Sequence, residues 1–170
     1  MTAEIRALRI EDDREGFRSG DEALDLYFHR YAGQNQFRHH VGVTYVAVVE
    51  TRVLAFATVS PATLDAADLP KGRKMPPYPL PVLRIARLAV AIDQKGRGLG
   101  KALLRFCVEL SEKMRDELGC VGLVVDAKLD AVEFYRRYGF TELQAEEGTL
   151  QVRPPPVLMF LPLGAIPRKK

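Results

Sequence analysis

Ile85-Ala86-Arg87-Leu88-Ala89-Val90-Ala91-Ile92 runs through Asp93-Gln94-Lys95 into Gly96-Arg97-Gly98-Leu99-Gly100-Lys101. The first eight residues form an apolar run of strand length. The glycine-rich segment opens into Leu103, Phe106, Cys107, Leu110, Met114 and Leu118, spaced by threes and fours. That spacing is one face of a 3.6-period helix. A strand therefore feeds a glycine turn, and the turn feeds a helix N-terminus. Such a start collects backbone N–H groups without intrahelical partners at the positive end of the helix dipole, an arrangement suited to phosphate.

The turn fails two common phosphate signatures. A P-loop aligned on Gly100-Lys101 puts Lys95 at its first glycine and Ala102 at its Mg²⁺-binding hydroxyl. A dinucleotide fingerprint started at Gly96 meets Lys101 at its third glycine, and one started at Gly98 misses it as well. What remains is a basic residue followed by G-x-G-x-G. Three glycines at alternate positions cost backbone entropy, so a bare connecting turn is a poor explanation.

Outward from this centre, Ile5, Leu8 and Ile10 suggest a short first strand. Ser19 or Asp21 can cap a helix carrying Ala23, Leu24, Leu26, Tyr27, Phe28 and Tyr31, which runs out near Gly33. Residues 34–40 read as a polar connector. Thr44–Val49 and Leu54–Val59 are β-forming, and Glu50-Thr51-Arg52 between them predicts a hairpin. Residues 64–81 hold five prolines among them and the basic cluster Lys71-Gly72-Arg73-Lys74, and read as a long surface loop, functional or merely solvated. Val121–Asp126 is a buried strand. Leu129–Arg137 is a short helix with Asp130 as its cap and Gly139 just past its end. A polar, proline-rich stretch from 144 to 156 leads to a last strand, Val157–Leu161, and a basic tail, Arg168-Lys169-Lys170. Hairpins first and βα units later place the chain in the mixed α/β (α+β) class.

The chain has 170 residues, 47% hydrophobic and 28% charged, with a net charge of +3. These values fit one globular domain spanning 1–170. No apolar run approaches the ~20 residues of a membrane span, and the N-terminus lacks a secretory signal, so a cytoplasmic protein is expected. Cys107 and Cys120 lack CxxC spacing and read as reduced core thiols. His29, His39 and His40 show no metal-ligand spacing, and no metal is expected. The modest positive charge permits an acidic or RNA partner without requiring one.

Leu88-Ala89-Val90 followed by Lys95–Lys101 resembles the acetyl-CoA motif of the GNAT N-acetyltransferases, [RQ]-x-x-G-x-[GA]. Phe134-Tyr135-Arg136-Arg137-Tyr138-Gly139-Phe140 resembles the same family's FYxxxGF segment. The resemblance extends from about Ile5 to Leu161, with Lys95 where the family usually has Arg or Gln. It implies a mostly antiparallel central sheet flanked by helices, with an acetyl-CoA-binding core over about 83–140. Phe17-Arg18-Ser19-Gly20, Gln34-Asn35-Gln36 and Arg84–Val90 further resemble the branch containing type II toxin–antitoxin acetyltransferases, which acetylate the amino group of aminoacyl-tRNA. That branch often has Cys where Ser19 stands.

By this resemblance, acetyl-CoA is the co-substrate. Gly96, Gly98, Gly100 and Leu99 hold its pyrophosphate through backbone N–H groups, with Lys95, Arg97 and Lys101 adding charge. Leu88, Ala89 and Val90 pair with its pantetheine, and the N–H near Val90 faces the thioester carbonyl. Tyr135 is the general acid for the departing thiolate; taken alone, it also reads as a core aromatic. Arg87 reads equally as an ion pair with an acid such as Asp126 or as a contact to substrate or cofactor. Asn35 either orients the substrate or caps a turn. Asp25, Asp126 and Glu133 are available as bases, and nothing in the sequence selects one. The expected partners are an amine substrate, such as aminoacyl-tRNA, an antitoxin protein and a second copy of the chain in a homodimer. Other readings are a small-molecule or protein amine acetyltransferase and a non-catalytic acyl-CoA-binding module.

Overall fold

A computed structural model describes residues 2–69, 74–143 and 156–165. Among the described residues, seven strands form a sheet in the order β1-β2-β3-β4-β5-β7-β6. They are β1 (Glu4–Ala7), β2 (Val43–Val49), β3 (Arg52–Leu64), β4 (Leu80–Val90), β5 (Gly122–Ala127), β6 (Thr141–Glu142) and β7 (Val157–Pro162). The helices are α1 (Glu22–Leu26), α2 (Leu99–Glu117) and α3 (Val132–Arg137). The chain divides into two compact units, residues 1–60 with 85–109, and residues 61–84 with 110–170.

In the first unit β1, β2 and β3 are antiparallel, with Ile5 opposite Ala47 and Thr44 opposite Thr58. The predicted hairpin is present, and Glu50 turns it with a positive φ of 57°. Asp21 caps α1 as expected, its carboxylate accepting from Ala23 N and Leu24 N at 3.0 and 3.2 Å. The helix does not run out near Gly33. It continues as π-helical turns over Tyr27–Tyr31 and Gln34–His39, and ends where His40 adopts the left-handed conformation. The stretch read as a polar connector is therefore helical. Its inner face buries Tyr27, Phe28 and Ala32. Phe28 stacks on Phe56 at 4.4 Å, and Phe17 meets both rings edge-on at 5.1 and 5.4 Å. Each such pair adds about 0.5–1.5 kcal/mol to the area term. Ile10, assigned above to the first strand, lies outside it and is exposed.

In the second unit β5 and β6 each pair antiparallel with β7. Leu64, Leu69, Leu80, Val82, Val124, Leu143 and Phe160 form its core. The proline-rich loop is shorter than expected. β3 continues through Pro61 to Leu64, and β4 begins at Leu80 and includes Pro81. Pro81 lacks a donor, yet its carbonyl accepts from Val121 N at 2.9 Å. Gly119, with φ of 108°, follows the end of α2, leaving Leu118 exposed rather than on the apolar face. Gly122 on β5 is enforced by space. A Cβ there would sit 2.4 Å from Leu161 O and 2.5 Å from Phe160 Cε2. Gly122→Ala is expected to lower the unfolding free energy by about 2 kcal/mol, through overpacking against backbone that cannot yield. Urea denaturation read by circular dichroism checks this, and an unchanged midpoint would contradict it.

Candidate active site

The glycine turn lies in the first unit, between β4 and α2. Two backbone bonds fix its run-in. Ala91 N donates to Leu54 O and Ile92 N donates to Arg18 O, both at 2.8 Å. Arg52 Nη2 reaches Asp93 Oδ1 at 2.6 Å, and this hydrogen bond holds the Asp93 carboxyl below the usual carboxylate range. Gly20, with φ of 94°, abuts the same segment, since a Cβ there would fall 3.3 Å from Ile92 Cδ1. The exposed Arg52–Asp93 pair is screened by solvent, so its effect is modest. Arg52→Gln is expected to raise KM for acetyl-CoA about twofold with kcat unchanged, and the charge swap R52D/D93R to restore KM. Steady-state kinetics over acetyl-CoA concentration tests this; a fall in kcat alone would contradict it.

Gly96 and Gly98 adopt φ of 81° and 82°, a region L side chains avoid. A Cβ at either position would meet no protein atom within 4 Å among the described residues. Packing against the described protein therefore does not demand these glycines. Their backbone conformation does, and the open space beside them gives a ligand close access. At this end of α2, Ala102 N donates to Gly98 O at 3.0 Å. It leaves the N–H groups of Leu99, Gly100 and Lys101 ahead of the helical ladder. Lys95, Arg97 and Lys101 are exposed around them, Arg97 Nη1 touching Gln94 Oε1 at 3.5 Å. Dipole, free N–H groups and cations suit a pyrophosphate. On β4, Ala89 is buried, while Leu88 and Val90 are half-buried.

Arg87 does not form the ion pair with Asp126. It is exposed, and its guanidinium carbon lies 4.3 Å from the centroid of the Tyr27 ring. Asp126 pairs instead with Arg84. Asn35 lies within the π-helical turns and does not cap a turn with its side chain. Its carbonyl accepts from Val41 N at 3.0 Å and terminates the helix.

Tyr135 lies in the second unit on α3 and is 4% exposed. Its ring meets Phe134 and Phe140 edge-on at 5.1 and 5.4 Å. Phe134 is only half-buried, so Tyr135 is the more enclosed of the two. Gly139, with φ of 96°, turns the chain so that Phe140 N donates to Tyr135 O at 3.1 Å. Asp130 does not cap α3; the cap position is Ala131.

Each carboxylate considered as a base is engaged. Asp25 accepts from Ser19 N and Ser19 Oγ at 2.9 and 2.7 Å, Asp126 pairs with Arg84, and Glu133 pairs with Arg136. Sequence reasoning missed the Ser19–Asp25 pair, although Asp25 falling on the inner face of α1 was a signal for it. Arg136 also binds Glu142, so it is not a spare cation. Residues 71–73 of the basic cluster, the basic tail and residues 144–155 lie outside the described residues. Cys107 and Cys120 are buried free thiols, and burial pushes the Cys107 thiol up to about 12. No helix among the described residues is long and apolar enough to cross a membrane. No group of three or more His, Cys, Asp or Glu residues able to hold a metal occurs among them either.

The acetyltransferase (GNAT) domain model matches residues 40–142. The chain is 33% identical over 139 residues to a tRNA-acetylating toxin of Mycobacterium tuberculosis, spanning 79% of this chain and 82% of that protein. Among solved structures it is similar to AtaT complexed with acetyl-methionyl-tRNAfMet, with 25% identity, a TM-score of 0.83 and 96% of each chain covered. It is also similar to AtaTR bound with AcCoA, with 25% identity, a TM-score of 0.79, and 96% of this chain and 95% of that one covered. Motif, fold and relatives agree, and the chain belongs to the GNAT acetyltransferase family.

Proposed function

We propose that the protein transfers the acetyl group of acetyl-CoA to the α-amino group of the aminoacyl residue on charged tRNA, as the toxin of a toxin–antitoxin pair. The observation that carries the substrate is the likeness to a tRNA-acetylating toxin across four-fifths of the chain. The glycine turn supports the co-substrate, because its open, left-handed backbone and free N–H groups fit a pyrophosphate.

Gly96, Gly98, Leu99 and Gly100 bind the pyrophosphate through their N–H groups, and Lys95, Arg97 and Lys101 neutralise it. Leu88, Ala89 and Val90 align the pantetheine by backbone pairing, and the N–H near Val90 polarises the thioester carbonyl. The amine attacks that carbonyl and the C–S bond breaks. Tyr135 gives its proton to the departing thiolate, while the proton shed by the amine nitrogen passes to water, from which the Tyr135 phenolate is reprotonated. Arg87 and Asn35 contact the acceptor. The candidate carboxylates are already engaged, which favours an amine that is largely neutral on its own. An α-amine near pKa 7.7–8.0 meets that condition far better than a lysine near 10.4. The whole of residues 1–170 acts as one catalytic domain in the cytoplasm, as a homodimer restrained by an antitoxin.

The test is transfer from labelled acetyl-CoA to charged tRNA, beside polyamines, free amino acids and lysine peptides. The proposal expects charged tRNA to be the preferred acceptor. Preference for a polyamine or lysine peptide would overturn the substrate, and binding of acetyl-CoA without transfer to any amine would overturn the catalysis.

A further inference from the structure

The helical segment from Glu22 to His39 presents two unlike faces. Its inner face is committed to the core through Tyr27, Phe28 and Ala32. Gln36 fastens its far end, with Oε1 accepting from Thr44 N at 2.9 Å and Nε2 donating to Leu8 O at 3.1 Å. The outer face is left to solvent. It carries Leu26, Arg30, Gln34 and Arg38 at intervals of four, with Tyr31 beside Arg30. Leu26 and Tyr31 are 45% and 46% exposed.

The charge on this face is one-sided. No acidic residue occurs between Asp25 and Glu50. Asp25 turns inward to Ser19 and Asp21 caps the helix, so Glu22 is the exposed acid of the first turn. Arg30 and Arg38 make no ion pair among the described residues, whereas Arg6, Arg52, Arg84, Arg115 and Arg136 all do. Arg14 adds a third guanidinium. A Cβ at Gly33 would fall 1.7 Å from Arg14 Nη1, so the glycine lets that cation lie against the helix. The backbone is also unusual, since π turns are rare and recur at functional sites.

We infer that this face is an RNA-binding surface, on which Arg30, Arg38 and Arg14 contact phosphates of the RNA backbone and Tyr31 offers a ring for an unstacked base. Unpaired arginines with an exposed aromatic between them match the chemistry of RNA binding. An acidic protein would supply charge without a base to stack. The inference rests on the proposed aminoacyl-tRNA reading, and it assigns that RNA a surface beyond the acetyl-transfer site.

The test uses the full chain and three measurements. Uncharged tRNA is titrated against wild type, R30Q/R38Q and R30K/R38K at several salt concentrations. KM for charged tRNA is measured in the transfer assay, and acetyl-CoA affinity serves as the control for folding. R30Q/R38Q is expected to bind tRNA about tenfold more weakly, and its log K against log salt to lose about 0.7–0.9 of slope per phosphate contact removed. R30K/R38K should keep most of the binding, Tyr31→Ala should weaken it severalfold, and acetyl-CoA affinity should not change. Unaltered tRNA affinity and salt slope in R30Q/R38Q would overturn the inference, as would equal competition by polyglutamate. Efficient transfer to charged tRNA with unchanged KM in R30Q/R38Q overturns this surface alone. Binding through these arginines without transfer leaves the surface standing and overturns the aminoacyl-tRNA reading instead.

Discussion

Tyr135→Phe is expected to lower kcat about a hundredfold while leaving KM for acetyl-CoA nearly unchanged. The substitution removes one oxygen and keeps the ring. The ring is what packs, edge-on against Phe134 and Phe140 at 5.1 and 5.4 Å, so the fold should survive. What disappears is the phenolic O–H, the proton donor that the proposed mechanism assigns to the departing thiolate. Without it the thiolate leaves unprotonated or takes a proton from water. The loss falls on the step after binding, and therefore on kcat. Single-turnover transfer at saturating acetyl-CoA, with acetyl-CoA affinity measured by calorimetry, separates the two effects. Full kcat in the variant would remove Tyr135 from the chemistry and return it to a purely packing role.

The second large effect is expected at the glycine turn. Replacing Gly96 and Gly98 together by Ala should weaken acetyl-CoA binding about a hundredfold. Each alanine forces an L residue into φ near 80°, at a cost of about 1–2 kcal/mol per position. Each Cβ also projects into space that holds no described protein atom within 4 Å, the space that the proposed pyrophosphate contact requires. The two penalties differ in what they predict. Strain alone would lower thermal stability without regard to ligand. Obstruction would weaken only ligands that carry a pyrophosphate. Acetyl-pantetheine, which lacks it, should therefore support transfer equally in wild type and variant. An equal loss with both donors would show that the turn acts through the fold and not through phosphate contact.

The strand, turn and helix of β4–α2 are legible in the sequence because three local signals coincide there: an apolar run, glycines at special φ, and a 3.6-residue period. The Asp21 cap and the Gly139 stop are likewise local, and both are found where the residue types place them. What escapes the sequence is set by long-range pairing. Pro61 and Pro81 mark turns by local rules, yet both lie within strands, where neighbours decide the outcome. Residues 34–39 look polar because none of them is buried and only Phe37 packs against the core, and a π turn shifts the period away from 3.6. The partner of Asp126 is another example. Arg84 and Arg87 both lie on β4, and only the strand's placement shows that Arg84 takes the carboxylate while Arg87 stands over Tyr27. Glu50 turns the hairpin with a positive φ although it is not glycine, which no propensity would select.

The final position of the acetyl group distinguishes aminoacyl-tRNA from every other acceptor. Charged tRNA is incubated with the wild-type protein and acetyl-CoA, then digested with ribonuclease, and the released aminoacyl-adenosine is analysed by mass spectrometry. The prediction is aminoacyl-adenosine heavier by one acetyl group, with fragmentation placing that group on the α-nitrogen and with Tyr135→Phe sharply reducing the product. Unmodified aminoacyl-adenosine, recovered while the same protein acetylates another amine, would contradict it.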